Sequence, residues 1–186
     1  MENIFLEDYT IVDIETTGLS PINNEIIELS AIKVRSNKVV EKFTTLVKPN
    51  GRINAYITDL TGITNEMVKT APDITKILPE FCNFLQNDCI VGHNINFDLR
   101  FIQHNLEKHF ETALKNPSQD TVKLARKYCP KLGSYKLANL ASHFNINADG
   151  HHRALKDCEM TYNLYTKIQE NYENNLTKEI VWIAHI

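Results

Sequence analysis

Apolar positions along this chain change period, from about two residues to about 3.6, and the change falls near Pro72. Before it, the run Tyr9-Thr10-Ile11-Val12 reads as a buried strand within residues 8–15. Gly18, Pro21 and the pair Asn23-Asn24 supply a turn, after which residues 25–35 (Ile26, Ile27, Leu29, Ala31, Ile32, Val34) read as a second strand. Ser36-Asn37-Lys38 turns into a third strand over residues 39–47, which ends at Pro49-Asn50-Gly51. Connections this short predict antiparallel neighbours.

Beyond Pro72, the residues Ile74, Ile77, Leu78, Phe81, Phe84 and Leu85 fall on one helical face. Residues 89–92 read as a short buried strand. A helix follows over 97–109, with Phe101, Ile102 and Leu106 on one side. Two more helices are predicted over 120–128 and 135–144, the first preceded by a short strand near 112–114. The last helix is predicted over 154–172, with Met160, Leu164, Tyr165 and Ile168 facing inward. Three antiparallel strands followed by alternating strand and helix predict an α/β domain, a mixed sheet flanked by helices. That domain is expected to take in residues 1–173. Residues 174–186, with the apolar run Ile180-Val181-Trp182-Ile183-Ala184, are expected to form a short extension packed on it.

Length and composition narrow the picture without deciding it. The 186 residues suit one domain with a substantial core. No apolar run approaches the roughly 20 residues that span a membrane, and the start is polar rather than signal-like. A cytoplasmic protein without membrane contact is therefore expected. Cys82, Cys89, Cys129 and Cys158 show neither a Cys-x-x-Cys pair nor a zinc spacing, and read as small core residues in a reducing cytosol. A formal net charge of -3 disfavours a generic nucleic-acid coat protein. It leaves room for an enzyme acting on one strand end, where phosphate contacts are few and bound metals neutralise the acids.

The candidate chemistry begins with Asp13-Ile14-Glu15 at the end of the first strand. Strand side chains alternate, so Asp13 and Glu15 share a face. Charges in a buried strand are costly unless paired or metal-bound. Two close carboxylates call for a cation or a proton between them, and hard divalent cations choose such oxygen ligands. Alone, the pair would also suit a solvated edge strand. Asp98, in His93-Asn94-Ile95-Asn96-Phe97-Asp98, falls in the first turn of a helix, where the dipole favours an acid. Asp157, in His151-His152-Arg153-Ala154-Leu155-Lys156-Asp157, falls early in the last helix. Taken singly these are ordinary helix-start acids. Together they give the order Asp, Glu, Asp, His, Asp.

In that order the residues resemble the DnaQ-like 3′–5′ exonucleases of the DEDDh type, the family of the proofreading subunits and domains of bacterial DNA polymerase III. The resemblance runs from Tyr9 to Tyr165. It rests on Asp13-Ile14-Glu15-Thr16-Thr17-Gly18-Leu19, on the segment from His93 to Asp98, and on the His152-x4-Asp157 spacing. Leu60-Thr61-Gly62-Ile63-Thr64 and Asp120-Thr121-x-x-Leu124-Ala125-Arg126 are secondary matches.

What the resemblance implies is a ribonuclease-H-like fold of five strands, three antiparallel and two parallel, with the acids at the centre of the sheet. It also implies two divalent cations, Mg²⁺ or Mn²⁺, about 4 Å apart. Asp13 would bridge both, Glu15 and Asp157 would complete the set around one, and Asp98 would hold the other. His152, on the turn before the helix, would be the general base, with His151 as the competing candidate. Substrate contacts are assigned to Thr16, Thr17, Gly18, Leu19, Thr61, His93, Asn94 and Phe97. Leu19 would wedge against the last bases or else cap the core, and His93 and Asn94 have the alternative task of organising their turn. Thr61 and Tyr56 depart from the family pattern, standing where many relatives carry a histidine and an acid. Glu28, inside an apolar strand, is expected to make an outward-facing salt bridge.

The activity so implied is metal-dependent release of nucleoside 5′-monophosphates from single-stranded or frayed DNA 3′ ends, in proofreading or repair. A DNA polymerase subunit is the candidate protein partner. The same chemistry fits an exoribonuclease of the oligoribonuclease type, because discrimination depends on what surrounds the 2′-hydroxyl. A non-catalytic binding module is the third reading, and the complete acid set speaks against it.

Overall fold

The computed structural model describes residues 4–183, with side chains described as far as Leu176. Its sheet follows the alternation in the sequence. β1 (Tyr9–Thr16), β2 (Ile26–Arg35) and β3 (Lys38–Leu46) form an antiparallel set. β4 (Ile90–Gly92) adds parallel to β1, and β5 (Ser118–Asp120) adds parallel to β4. The order is β3-β2-β1-β4-β5. β1 is therefore the central strand and the switch point, antiparallel to one neighbour and parallel to the other. In sheets of this kind, ligands gather at such a crevice.

Helices cover both faces. α3 (Ile74–Leu85) and α4 (Asn96–Phe110) lie on one, burying Phe81, Leu85, Phe101 and Ile102 against Val12 and Ile14 of β1. α5 (Thr121–Tyr128), α6 (Leu137–His143) and α7 (Ala154–Ile183) lie on the other, where Leu164, Tyr165 and Ile168 meet Tyr9 and Ile11. Asp13 and Glu15 share the parity of Tyr9 and Ile11, so the β1 acids project toward the α7 face. β2 is buried on both sides, whereas the edge strand β3 is exposed and carries Lys38, Glu41 and Lys42. Charges of this sort keep an unpaired edge from recruiting other strands.

Three expectations change. Two short helices, α1 (Ala55–Thr61) and α2 (Asn65–Val68), stand in a region that lacks helical periodicity. Their ends are fixed by side-chain caps: Asn54 accepts the Ile57 amide, and Thr64 accepts the Met67 amide. The fifth strand lies at 118–120 rather than 112–114, because pairing with Ile90, Val91 and Gly92 holds a polar segment in place. The last helix does not stop at 172 but continues to Ile183. The expected packing of the apolar residues at 180–184 lies outside the described side chains. Among the described residues, no helix is long and apolar enough to cross a membrane.

Candidate active site

β1 delivers Asp13 and Glu15 to the end of the sheet, and the first turn of α7 delivers Asp157 from across it. Each offers a carboxylate oxygen, and the three oxygens lie within 4.8 Å of one another. Asp98 arrives from the first turn of α4 and is 4% exposed. Its Oδ1 accepts the Ile14 amide at 3.0 Å, which ties α4 to the β1 backbone between the two β1 acids.

Four carboxyls this close are in mutual conflict. Burial, then the charges of Asp98, Asp157, Glu15 and Glu28, push Asp13 well above the usual carboxylate range. Burial, then Asp157, Glu28 and Asp98, push Glu15 up to about 8, although Arg153 opposes the shift. Burial likewise pushes Asp98 up to about 8, despite the Ile14 amide. No lysine or arginine forms an ion pair with these four acids among the described residues. An all-oxygen donor set that lacks protein cations fits hard divalent ions, whose charge removes the repulsion.

Both histidines of the turn before α7 reach this cluster. His151 Nδ1 lies 2.5 Å from Asp157 Oδ1, and the His151 and His152 rings stack with centroids 3.8 Å apart. His151 is thus tied to a site acid. No hydrogen bond engages the His152 ring among the described residues. His152 has φ 70, in the left-handed region that L-residues with a Cβ rarely adopt. Burial, then the neighbouring His151, lower its basicity somewhat.

The other sequence-assigned residues divide. Leu19 is 83% exposed, which removes the core-capping alternative. It borders a cleft of about 710 Å³ that Asp13, Asn94, Phe97, His152 and Asp157 also line. Within the turn, the Thr16 hydroxyl donates to Gly18 O, and Thr17 exchanges two hydrogen bonds with the Glu25 backbone. The Thr17 amide is therefore spent within the turn. A Cβ on Gly18 would lie 2.6 Å from the Asn24 side chain, so this tight turn requires the glycine.

His93 also lines the cleft, but both its ring nitrogens are engaged, with Thr121 Oγ1 and Tyr135 O at 2.9 Å each. The structure gives it the organising task. Asn94, at φ 61, donates its amide to Asp120, which also caps α5. Thr61 is a correction: it is 3% exposed, its hydroxyl donates to Ile57 O and accepts the Ile63 amide, and it serves the end of α1. Tyr56 is 72% exposed.

Glu28 is a second correction. It does make a salt bridge, to Arg153, but it is 3% exposed and faces the α7 side of the sheet, opposite Glu15 in the strand register. Arg126 and Lys136 line the cleft without having been singled out as contacts. Arg126 stacks over Tyr135 at 5.1 Å. Its presence in the secondary motif after Asp120 was the available signal.

A three-plus-two sheet with acids at its switch point is the architecture of the ribonuclease-H-like exonucleases. Within that class the chain belongs to the Exonuclease (RNase_T) family, whose model matches residues 10–165. Members of this family need divalent metal ions. DNA polymerase III subunit epsilon of Aquifex aeolicus (strain VF5) is 38% identical over 169 residues, covering 91% of this chain and 84% of that protein. DNA polymerase III PolC-type of Clostridium perfringens (strain 13 / Type A) is 44% identical over 160 residues, 86% of this chain but 11% of that protein. The chain thus spans a small fraction of its PolC-type relatives.

Exonuclease X in complex with 5′ overhanging duplex DNA superposes with a TM-score of 0.72 at 28% identity, over 87% of this chain and 91% of that one. The nuclease domain of 3′hExo, a DEDDh family member bound to rAMP, reaches a TM-score of 0.78 over 92% of this chain and 95% of that one. At 18% identity it speaks for the fold.

Proposed function

We propose that this chain is a metal-dependent 3′–5′ exonuclease acting on DNA 3′ ends, single-stranded or frayed, and releasing nucleoside 5′-monophosphates. The observation that carries this reading is the convergence of Asp13, Glu15, Asp98 and Asp157 beside the His152 imidazole, with no lysine or arginine paired to these acids and no hydrogen bond to that ring among the described residues. Bound there, two divalent ions, Mg²⁺ or Mn²⁺, supply Lewis acidity to the scissile phosphate and to the attacking water. Asp13, Glu15 and Asp157 would hold one, and Asp13 and Asp98 would hold the other.

His152 accepts a proton from the attacking water as its oxygen adds to phosphorus. The bond from phosphorus to the 3′ oxygen of the preceding nucleotide breaks, and that oxygen takes a proton from solvent. Leu19 and Phe97 border the space for the terminal base, and an apolar contact of this kind tolerates any sequence. His151 holds Asp157 in place. The polymerase III names of the relatives support a place beside a DNA polymerase, in proofreading or repair, and the Exonuclease X complex supports DNA as the substrate class.

The test is degradation of 5′-labelled DNA and RNA of one sequence, with and without Mg²⁺ or Mn²⁺. Stepwise shortening of the DNA only in the presence of metal is expected. Cleavage of RNA alone would transfer the reading to an exoribonuclease, and no metal-dependent cleavage of either would remove it.

A further inference from the structure

We infer that Glu28 and Arg153 form a positioning clamp that aims the His151-His152 turn at the acid cluster. The inference rests on the nuclease reading above, with His152 as the base.

Glu28 directs its hydrogen bonds to a single junction. Arg153 Nε lies 3.2 and 3.1 Å from its two carboxylate oxygens, Nη2 lies 2.6 Å from Oε1, and the Ala154 amide donates to Oε2 at 2.9 Å. One buried carboxylate thus grips a guanidinium in a fork and also caps the first residue of α7. The place is electrostatically adverse. Glu28 stands opposite Glu15 and adds a negative charge to a cluster that already repels itself. Neutralising Arg153 does not explain it either, because that side chain is 44% exposed and water would serve. A buried ion pair is seldom the most stable filling for such a position; it is suited to fixing one arrangement.

What it fixes is the backbone next to His152. Gly150 and His152 both have positive φ, 80 and 70, so the turn reverses twice just before Arg153. Glycine adopts that conformation freely, while histidine does so against its intrinsic preference. Such strain persists where the surroundings over-determine it, and it clusters at functional sites. No hydrogen bond holds the His152 ring among the described residues, so its stack on His151 and the backbone on its C-terminal side are what aim it. Glu28 reaches that backbone from β2, 125 residues away in sequence. The clamp acts on the reaction through His152 and touches no substrate.

The experiment measures kcat and KM on 5′-labelled single-stranded DNA with Mn²⁺, and Mn²⁺ binding by calorimetry. The variants are Glu28→Gln and Arg153→Leu, each in the native chain and in a His152→Ala background. In the native chain, each is expected to lower kcat roughly tenfold or more at saturating Mn²⁺ through misplacement of the base, with KM unchanged; loss of the Glu28 charge should weaken Mn²⁺ binding, and loss of the Arg153 charge should not. Arg153→Lys should recover part of the loss. In the His152→Ala background neither variant should lower kcat further, which a merely structural role would not produce. The same fold-loss in both backgrounds, or no loss in the native chain, overturns the clamp while leaving the nuclease reading in place. An inactive native chain overturns both. If Glu28→Gln does not fold, Arg153→Leu carries the same comparison, since that side chain is partly exposed.

Discussion

Two turns bring histidines to one cleft, and they treat them in opposite ways. The turn after β4 carries His93 and the left-handed Asn94. It is closed by hydrogen bonds between the His93 ring and both Thr121 Oγ1 and Tyr135 O, which occupy its two nitrogens, and by the Asn94 amide donating to Asp120 Oδ1. The turn before α7 carries His151 and the left-handed His152. It is pinned at the backbone by Glu28, and the His152 ring has no hydrogen-bonding partner among the described residues. One histidine is a strut and the other is free to receive a proton. Residue type and proximity to an aspartate are alike in the two turns. Availability of the ring nitrogens separates them, since burial lowers the basicity of both imidazoles.

If both turns serve the acids between them, the largest effect should come from Asp13→Ala. Loss of at least about a thousandfold in mononucleotide release is expected. Retention of most activity would mean that the centre of the site lies elsewhere. Next, His152→Ala should lower kcat by about a hundredfold, with Mn²⁺ binding retained in a calorimetric titration. An almost unchanged rate would erase the distinction between the turns.

His93→Ala should do the reverse. It leaves polar groups of the strut unpaired and is expected to cost about 1–3 kcal/mol of stability in denaturant titration. Its loss in kcat should be smaller than that of His152→Ala; a larger one would invert the assignment.

The smallest effect is a pH dependence of the metal-free protein. Glu15 and Asp98 are held up to about 8, and Asp13 is raised as well, whereas in the unfolded chain these carboxyls ionise near pH 4. Between those values the folded state binds more protons than the unfolded one. Stability present at the acidic end is therefore lost as pH rises toward 8. The melting temperature should fall across that window, and Mg²⁺ should raise it more at pH 8 than at pH 5. Asp98→Asn should flatten the profile. Equal slopes in variant and native protein would show that the acid cluster is not its source.

The sequence carried the four candidate acids because strand parity and helix-start position are local properties. Asp13 and Glu15 share a face by alternation alone, and Asp98 and Asp157 occupy first turns recognisable from the segments around them. The long sheet strands were legible for the same reason. β5 was not, because Ser118-Gln119-Asp120 has no apolar signature and owes its conformation to β4. α1 and α2 are too short for periodicity to accumulate, and their caps were the only local sign. Glu28 was misread as outward-facing because its burial depends on Arg153, whose position relative to β2 is set by the whole fold. Thr61 was assigned by analogy to a position in relatives, while its own hydroxyl is consumed by the backbone around it.

The Glu28–Arg153 contact also sets an order of events. A nascent chain that has made β1, β2 and α4 already possesses three of the acids, yet it has neither Asp157 nor the histidine turn. The contact that seats that turn closes a loop of 125 residues, and long loops close late because their entropy must be paid first. On the proposed nuclease reading, competence to cut is then among the last properties the chain acquires during folding. A partly folded molecule would be a silent one, and nucleic acid around it would be spared until the sheet and its final helix have met.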